Sequence, residues 1–152
     1  MSVRLTPESF DAGALLAEFS RGRNETGAIV SFTGLARAEA GKVQALELEA
    51  YEGFTDSAIR AMAAETRARF GLQDLVVVHR VGRIAPGEPI VFVATAAAHR
   101  RAAFEAANQM MDYLKSRAPF WKKSWNADGA HWIEPRREDY EDAARWDAPG
   151  AS

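Results

Sequence analysis

Lysine is scarce in this chain and is concentrated where the aromatic residues are densest. Of four lysines, Lys115, Lys122 and Lys123 fall within DYLKSRAPFWKKSWN (112–126), beside a Tyr, a Phe and two Trp, whereas the chain has fifteen arginines. The difference is chemical. A lysine ammonium can give up its proton when apolar neighbours desolvate it or other cations crowd it, so it can act as base, acid or nucleophile. An arginine guanidinium stays charged. Between His99 and Lys123 six basic side chains face two acidic ones, in a chain of formal net charge −2. The competing reading is structural: Lys115 favours the dipole at a helix C-terminus, and Lys122 and Lys123 guard a strand edge against aggregation. Strand alternation does not decide between them. Phe120, Lys122 and Ser124 share one face and Trp121, Lys123 and Trp125 the other, so each lysine has aromatic company.

Two further places break local rules. In AAAHRRAAFEAA (96–107) a strand runs into a helix whose first turn holds His99, Arg100 and Arg101. Cations there oppose the macrodipole by up to roughly 1 kcal/mol each, unless a phosphate or carboxylate sits on the free N–H groups. The alternative is that the arginines face solvent or pair with Glu105. In SFTGLARAEAGK (31–42) a strand ends at a glycine and delivers Arg37 into a loop. Loops at strand ends often carry function, but on local pattern alone Arg37 reads as a solvated charge. His79, in an apolar strand, reads as a satisfied half-buried histidine, and Glu47 and Glu49 as a wet strand face. No phosphate-binding G-x-x-x-x-G-K-[ST] loop and no G-x-S-x-G elbow occurs.

The elements that must position these residues follow from periodicity. The 152 residues, 47% hydrophobic and 26% charged, suit one soluble globular domain. We expect a single domain over 1–146 and a flexible C-terminal tail over 147–152, with the polar segment from Arg137 loosely held. TPESFDAGALLAEFSR reads as a helix opened by Thr6 with Pro7 in its first turn. Strands are expected at 27–34, 43–51 and, as one long strand, 75–84, which pairs with 90–98 across the PGEP turn. Helices are expected at 54–71, stopped by Gly71, and at 99–117, stopped before Pro119. FWKKSW and HWIEP add short strands. The mixture points to α+β, with helices packed on a largely antiparallel or mixed β-sheet.

Composition also excludes. Without cysteine there is no disulfide, thiolate metal site or cysteine nucleophile. Three histidines make a histidine-rich metal site unexpected. The acidic balance argues against general nucleic-acid or acidic-membrane binding. The N-terminus lacks the apolar core of a signal peptide, and the longest apolar run, IVFVATAAA, is too short to span a bilayer. A cytoplasmic location is expected.

GAIVSFTGLAR (27–37), LELEAYEGFTDSAI (46–59), HRVGRIAPGEPIVFVATAAAHRRAAFEA (79–106) and DYLKSRAPFWKK (112–123), in this order, resemble the large, catalytic subunit of molybdopterin synthase over roughly residues 3–146. The resemblance implies an α/β-hammerhead-like fold and a sulfurtransferase reaction of molybdenum cofactor biosynthesis. In it, cyclic pyranopterin monophosphate gains a dithiolene and becomes molybdopterin. Sulfur comes from the C-terminal Gly-Gly thiocarboxylate of a small ubiquitin-like subunit, and large subunits dimerise within a heterotetramer. No cofactor or metal is implied. By motif, Lys115 and Lys122 correspond to catalytic positions, and Arg37, His99, Arg100, Arg136 and Lys123 to substrate-binding ones. A chain without cysteine can transfer sulfur only if a partner brings it. Two letters depart from the family pattern: Ser124, where an acid is common, and Ala50, where a polar residue is common. The alternatives are a non-catalytic docking module for a ubiquitin-like tail, and an enzyme acting on another phosphorylated small molecule.

Overall fold

The structure, a computed structural model, describes residues 1–147. Its core is a four-stranded sheet built around the two most apolar segments. These are β4 (Asp74–Arg80) and β6 (Pro89–Ala97), which pair antiparallel in the centre. β1 (Ser2–Thr6) adds parallel to β4, and β2 (Ala28–Leu35) adds antiparallel to β6, giving the order β1-β4-β6-β2. Strand parity sorts the side chains onto two faces. Val91, Val93, Leu75 and Val77 pack under α2 (Phe54–Phe70) and α3 (Arg100–Ser116), against Ile59, Ala63, Ala103, Met110 and Leu114. Phe92, Ala94, Ala96 and Val78 pack on the opposite face under Phe19 of α1 (Ala12–Ser20). Two buried hydrogen bonds lock the helices: Thr66 Oγ1 donates to Gln109 Oε1 at 2.9 Å, joining α2 to α3, and Thr95 Oγ1 donates to the Ala103 carbonyl at 2.8 Å, joining β6 to α3.

A second, wholly antiparallel sheet has the order β5-β3-β7-β8, from β5 (Gly82–Ile84), β3 (Ala45–Ala50), β7 (Phe120–Asn126) and β8 (Gly129–Ile133). The expected long strand over 75–84 is therefore two strands in two sheets. Gly82 has φ +83°, a value that side-chain-bearing residues rarely adopt, and the chain turns there. Arg80 and Glu88 brace the corner. Arg80, 5% exposed, donates to Glu88 and to the Arg83 carbonyl, both at 3.3 Å, while Glu88 accepts from Ala85 N–H at 2.8 Å to close the turn. Much of the HRVGRIAPGE motif is thus structural.

The other expected strands and helices lie within a few residues of their observed bounds, and the α+β class stands. Three expectations are corrected. Thr6 does not open α1 but ends β1, whose five residues become a strand by pairing with β4; the N-cap is Asp11, whose Oδ1 accepts from Ala14 N–H at 3.1 Å. The strand over 75–84 divides, as described. The polar segment from Arg137 forms α4 (Arg137–Ala144) and a 3₁₀ turn (Arg145–Asp147), held onto the core by specific bonds. Trp146 packs edge-on against Phe70 and its Nε1 donates to Asp112 at 2.7 Å; Arg145 pairs with Asp112 at 2.8 Å, and Arg117 grips both oxygens of Asp147 at 2.8 and 2.6 Å. Of the expected flexible tail 147–152, Asp147 is held in this way and 148–152 lie outside the described residues.

Candidate active site

Where the C-terminal end of α3 passes over the second sheet, the chain leaves a cleft of about 500 Å³. α3 contributes Met111, Leu114 and Lys115; β7 contributes Lys122 and Ser124; Arg37 comes from the loop after β2, and Arg136 and Asp139 from the start of α4. Four of the residues singled out in the sequence, Arg37, Lys115, Lys122 and Arg136, therefore line one space although they span a hundred positions of chain. Lys122 reaches it because β7 pairs with β3 in a register that sets it opposite Leu48, on the strand face turned towards the cleft. Ser124, opposite Leu46, lies beside it on that face.

Lys122 is half-buried and, among the described residues, has no ion pair. Burial, and next the positive charge of Lys115, push its pKa down to about 8, with the carboxylate of Asp139 opposing them. Such an amine is roughly one-tenth neutral at pH 7, so it can both accept and deliver a proton. Lys115, Arg37 and Arg136 are exposed to the cleft, where an anion would meet them.

His79 also lines the cleft, a role its apolar strand did not reveal. It is 3% exposed, stacked on Phe120 with ring centroids 4.4 Å apart, and its Nδ1 lies 2.8 Å from the Arg80 carbonyl. A carbonyl only accepts, so Nδ1 carries the hydrogen and Nε2 is the free acceptor. Burial is the main reason its pKa falls to about 4, so the ring is neutral near pH 7. Asp139 was missed as well, because its segment read as loose. The alternation of the strand sequence does place His79 with Leu75 and Val77 on the α3 side of β4, and that parity was the available signal.

Three candidates lie elsewhere. His99 caps α3 and Arg100 begins it, about 23 Å along the helix from Lys115 near its far end. His99 occupies the N-cap without a side-chain capping bond, and both residues are exposed. Arg101, their neighbour, pairs with Glu105 at 3.1 Å. Lys123 lies on the other face of β7, 3.4 Å from Glu49 and 3.9 Å from Glu47, with its ammonium 4.5 Å from the Trp132 ring centre. A separate cleft of about 460 Å³ beside β1 contains Arg60, but Asp56 at 2.9 Å and the Val3 carbonyl at 2.7 Å already engage that guanidinium.

Comparison with known proteins bears on this arrangement. Residues 5–117 match the family described as MoaE protein. The molybdopterin synthase catalytic subunit of Caulobacter vibrioides is 62% identical over 147 residues, covering 97% of this chain and 98% of that one. The corresponding subunit of Mesorhizobium japonicum is 52% identical, covering 95% and 92%. Among solved structures, the molybdopterin biosynthesis MoaE protein of Burkholderia ambifaria superposes with a TM-score of 0.81 at 41% identity, covering 97% of this chain and 98% of that one. Molybdopterin synthase from Staphylococcus aureus superposes with a TM-score of 0.76 at 27% identity, covering 85% and 94%. With most of its length matched in sequence and nearly all of it in fold, the chain belongs to the MoaE protein family.

Proposed function

We propose that this chain is the catalytic subunit of a molybdopterin synthase and transfers sulfur to a phosphorylated pterin within the Lys115–Lys122 cleft. One observation carries the reading: in a member of this family, four cationic side chains from four separate parts of the chain converge on one cleft, and one of them is a lysine with a pKa of about 8. Because the chain has no cysteine, the sulfur arrives on a partner, as the thiocarboxylate at the C-terminus of a small ubiquitin-like subunit. That tail and the substrate phosphate are both anionic, which accounts for a cationic cleft in a chain of net negative charge.

Arg37 and Arg136 bind the substrate's charged groups. Lys115, exposed to the cleft, stabilises the charge that develops as the thiocarboxylate sulfur bonds to a substrate carbon and the oxygen substituent on that carbon departs with its bonding electron pair. Lys122 moves the proton when water then cleaves the acyl–sulfur bond, leaving a thiol on the substrate and a carboxylate on the partner. His99 and Arg100 cannot reach this cleft from within their own chain; they join it if a second copy presents the start of its α3, which a homodimer within a heterotetramer allows. Lys123 supports the sheet. Among the described residues no helix is long and apolar enough to cross a membrane. The location proposed for the chain is the cytoplasm, as expected for an enzyme of cofactor biosynthesis.

The test is reconstitution with a purified thiocarboxylated small subunit and the cyclic pterin substrate. Dithiolene product is expected from the wild-type chain, with a loss on the order of 10²-fold or more in Lys115→Ala. A wild-type chain that binds the partner yet forms no product would reduce the assignment to a docking module.

A further inference from the structure

One carboxylate in the cleft has no part in the steps above. Asp139 stands at the third position of α4 with its side chain 13% exposed. Its Oδ2 accepts from the Arg136 backbone N–H at 3.0 Å, and its Oδ1 lies 3.5 Å from Arg136 Nη2. The Arg136 side chain is 77% exposed, so this pair adds little stability. The first contact is the capping bond of the helix start, and the second keeps the carboxylate beside the guanidinium. The same carboxylate lines the cleft with Lys122, while Ser124, the next residue along that strand face, brings no charge.

We propose that Asp139 is a positioning residue of this site, holding Arg136 at the cleft and supplying the counter-charge to Lys122. The arrangement of charges supports it. The cations facing Lys122 are Lys115 from α3, Arg37 from the loop after β2 and Arg136; His79 of β4 is neutral. Against them stand Glu39, Glu134 and Asp139. Glu39 and Glu134 are exposed and screened by water, whereas Asp139 is largely shielded from it. Asp139 is also the one group that raises the Lys122 pKa against burial and Lys115. Without its charge, Lys122 would lose its proton at a lower pH.

Asp139→Asn separates charge from geometry, since an amide oxygen still accepts from the Arg136 N–H. With only four lysines, each side-chain amine can be assigned from single Lys→Arg variants and titrated by NMR in isotopically labelled protein. This arm needs no substrate and decides the proposal whether or not the sulfur-transfer reading holds; only the kinetic arm rests on that reading. In Asp139→Asn the Lys122 midpoint is expected to fall while Lys42 stays put. In Asp139→Glu, which keeps the charge, it is expected to stay near that of the wild type. In the reconstituted assay, Asp139→Asn is expected to raise KM several-fold and to move the pH midpoint of kcat/KM downward. A Lys122 midpoint unmoved in a folded Asp139→Asn protein, or moved equally by Asp139→Glu, overturns the proposal.

Discussion

On one face of β7, Lys123 reaches Glu49 at 3.4 Å and Glu47 at 3.9 Å and sits over the Trp132 ring, while one residue earlier Lys122 turns into the cleft and, among the described residues, meets no carboxylate within ion-pair distance. The two lysines are adjacent and identical in chemistry. Cross-strand register separates them: Lys123 lies opposite Glu47, and Lys122 opposite Leu48. One ammonium is compensated and held against its sheet. The other is desolvated and crowded by Lys115, which brings its pKa down to about 8. A lysine becomes chemically useful here because burial and Lys115 outweigh the partial compensation from Asp139.

The largest consequence concerns turnover. Lys122→Met is expected to lower the reconstituted sulfur-transfer rate by on the order of 10² or more, the scale of a lost acid–base group. Lys123→Met is expected to stay within a few-fold of wild type. Equal losses in both would erase the contrast.

Stability should move in the opposite sense. The Lys122 pKa is about 8 in the folded chain against an ordinary lysine's 10.5. Between these pH values the unfolded state holds more protons, so this group's contribution to stability rises with pH, and the cost of burying its charge is fully present below about pH 8. Lys122→Met is therefore expected to stabilise the fold at pH 7 by about 1–3 kcal/mol, with part of the full linkage value lost to solvent access. Lys123→Met, which breaks partly exposed pairs, is expected to cost under about 1 kcal/mol. Urea titrations of both variants measure the difference, and a destabilised Lys122→Met would contradict it.

The same contrast marks what the sequence could convey. β6 and β4 were legible because their apolar runs are buried on both faces. α3 was legible because Phe104, Ala107, Met111 and Leu114 recur at helical spacing, although Phe104 is 60% exposed and the buried stripe runs through Ala103, Met110 and Leu114. β1 was not, since its strand state depends on pairing with β4 some seventy residues away. Nor was α4, which is tied down by a single tryptophan and ion pairs that reach Asp112 and Arg117, contacts invisible to periodicity. In the site, residue type singled out Lys115 and Lys122, while the family resemblance supplied their roles. Local pattern could not say that β7 would turn Lys122 in and Lys123 out, because aromatics stand on both faces. His79 escaped although its strand was legible, and Asp139 with its helix, because the meaning of each lies in what a distant segment brings against it.

The central claim is that the cleft holds a lysine that exchanges its proton near neutral pH, and its most direct test is the pH dependence of kcat/KM for sulfur transfer between pH 6 and 10 (roughly the range over which such an amine titrates). A limb with its midpoint at about 8 is expected, retained in Lys123→Met, its direction assigning Lys122 as base if the rate rises and as acid if it falls. A profile that stays flat through pH 8, with chemistry limiting the rate, would contradict the account.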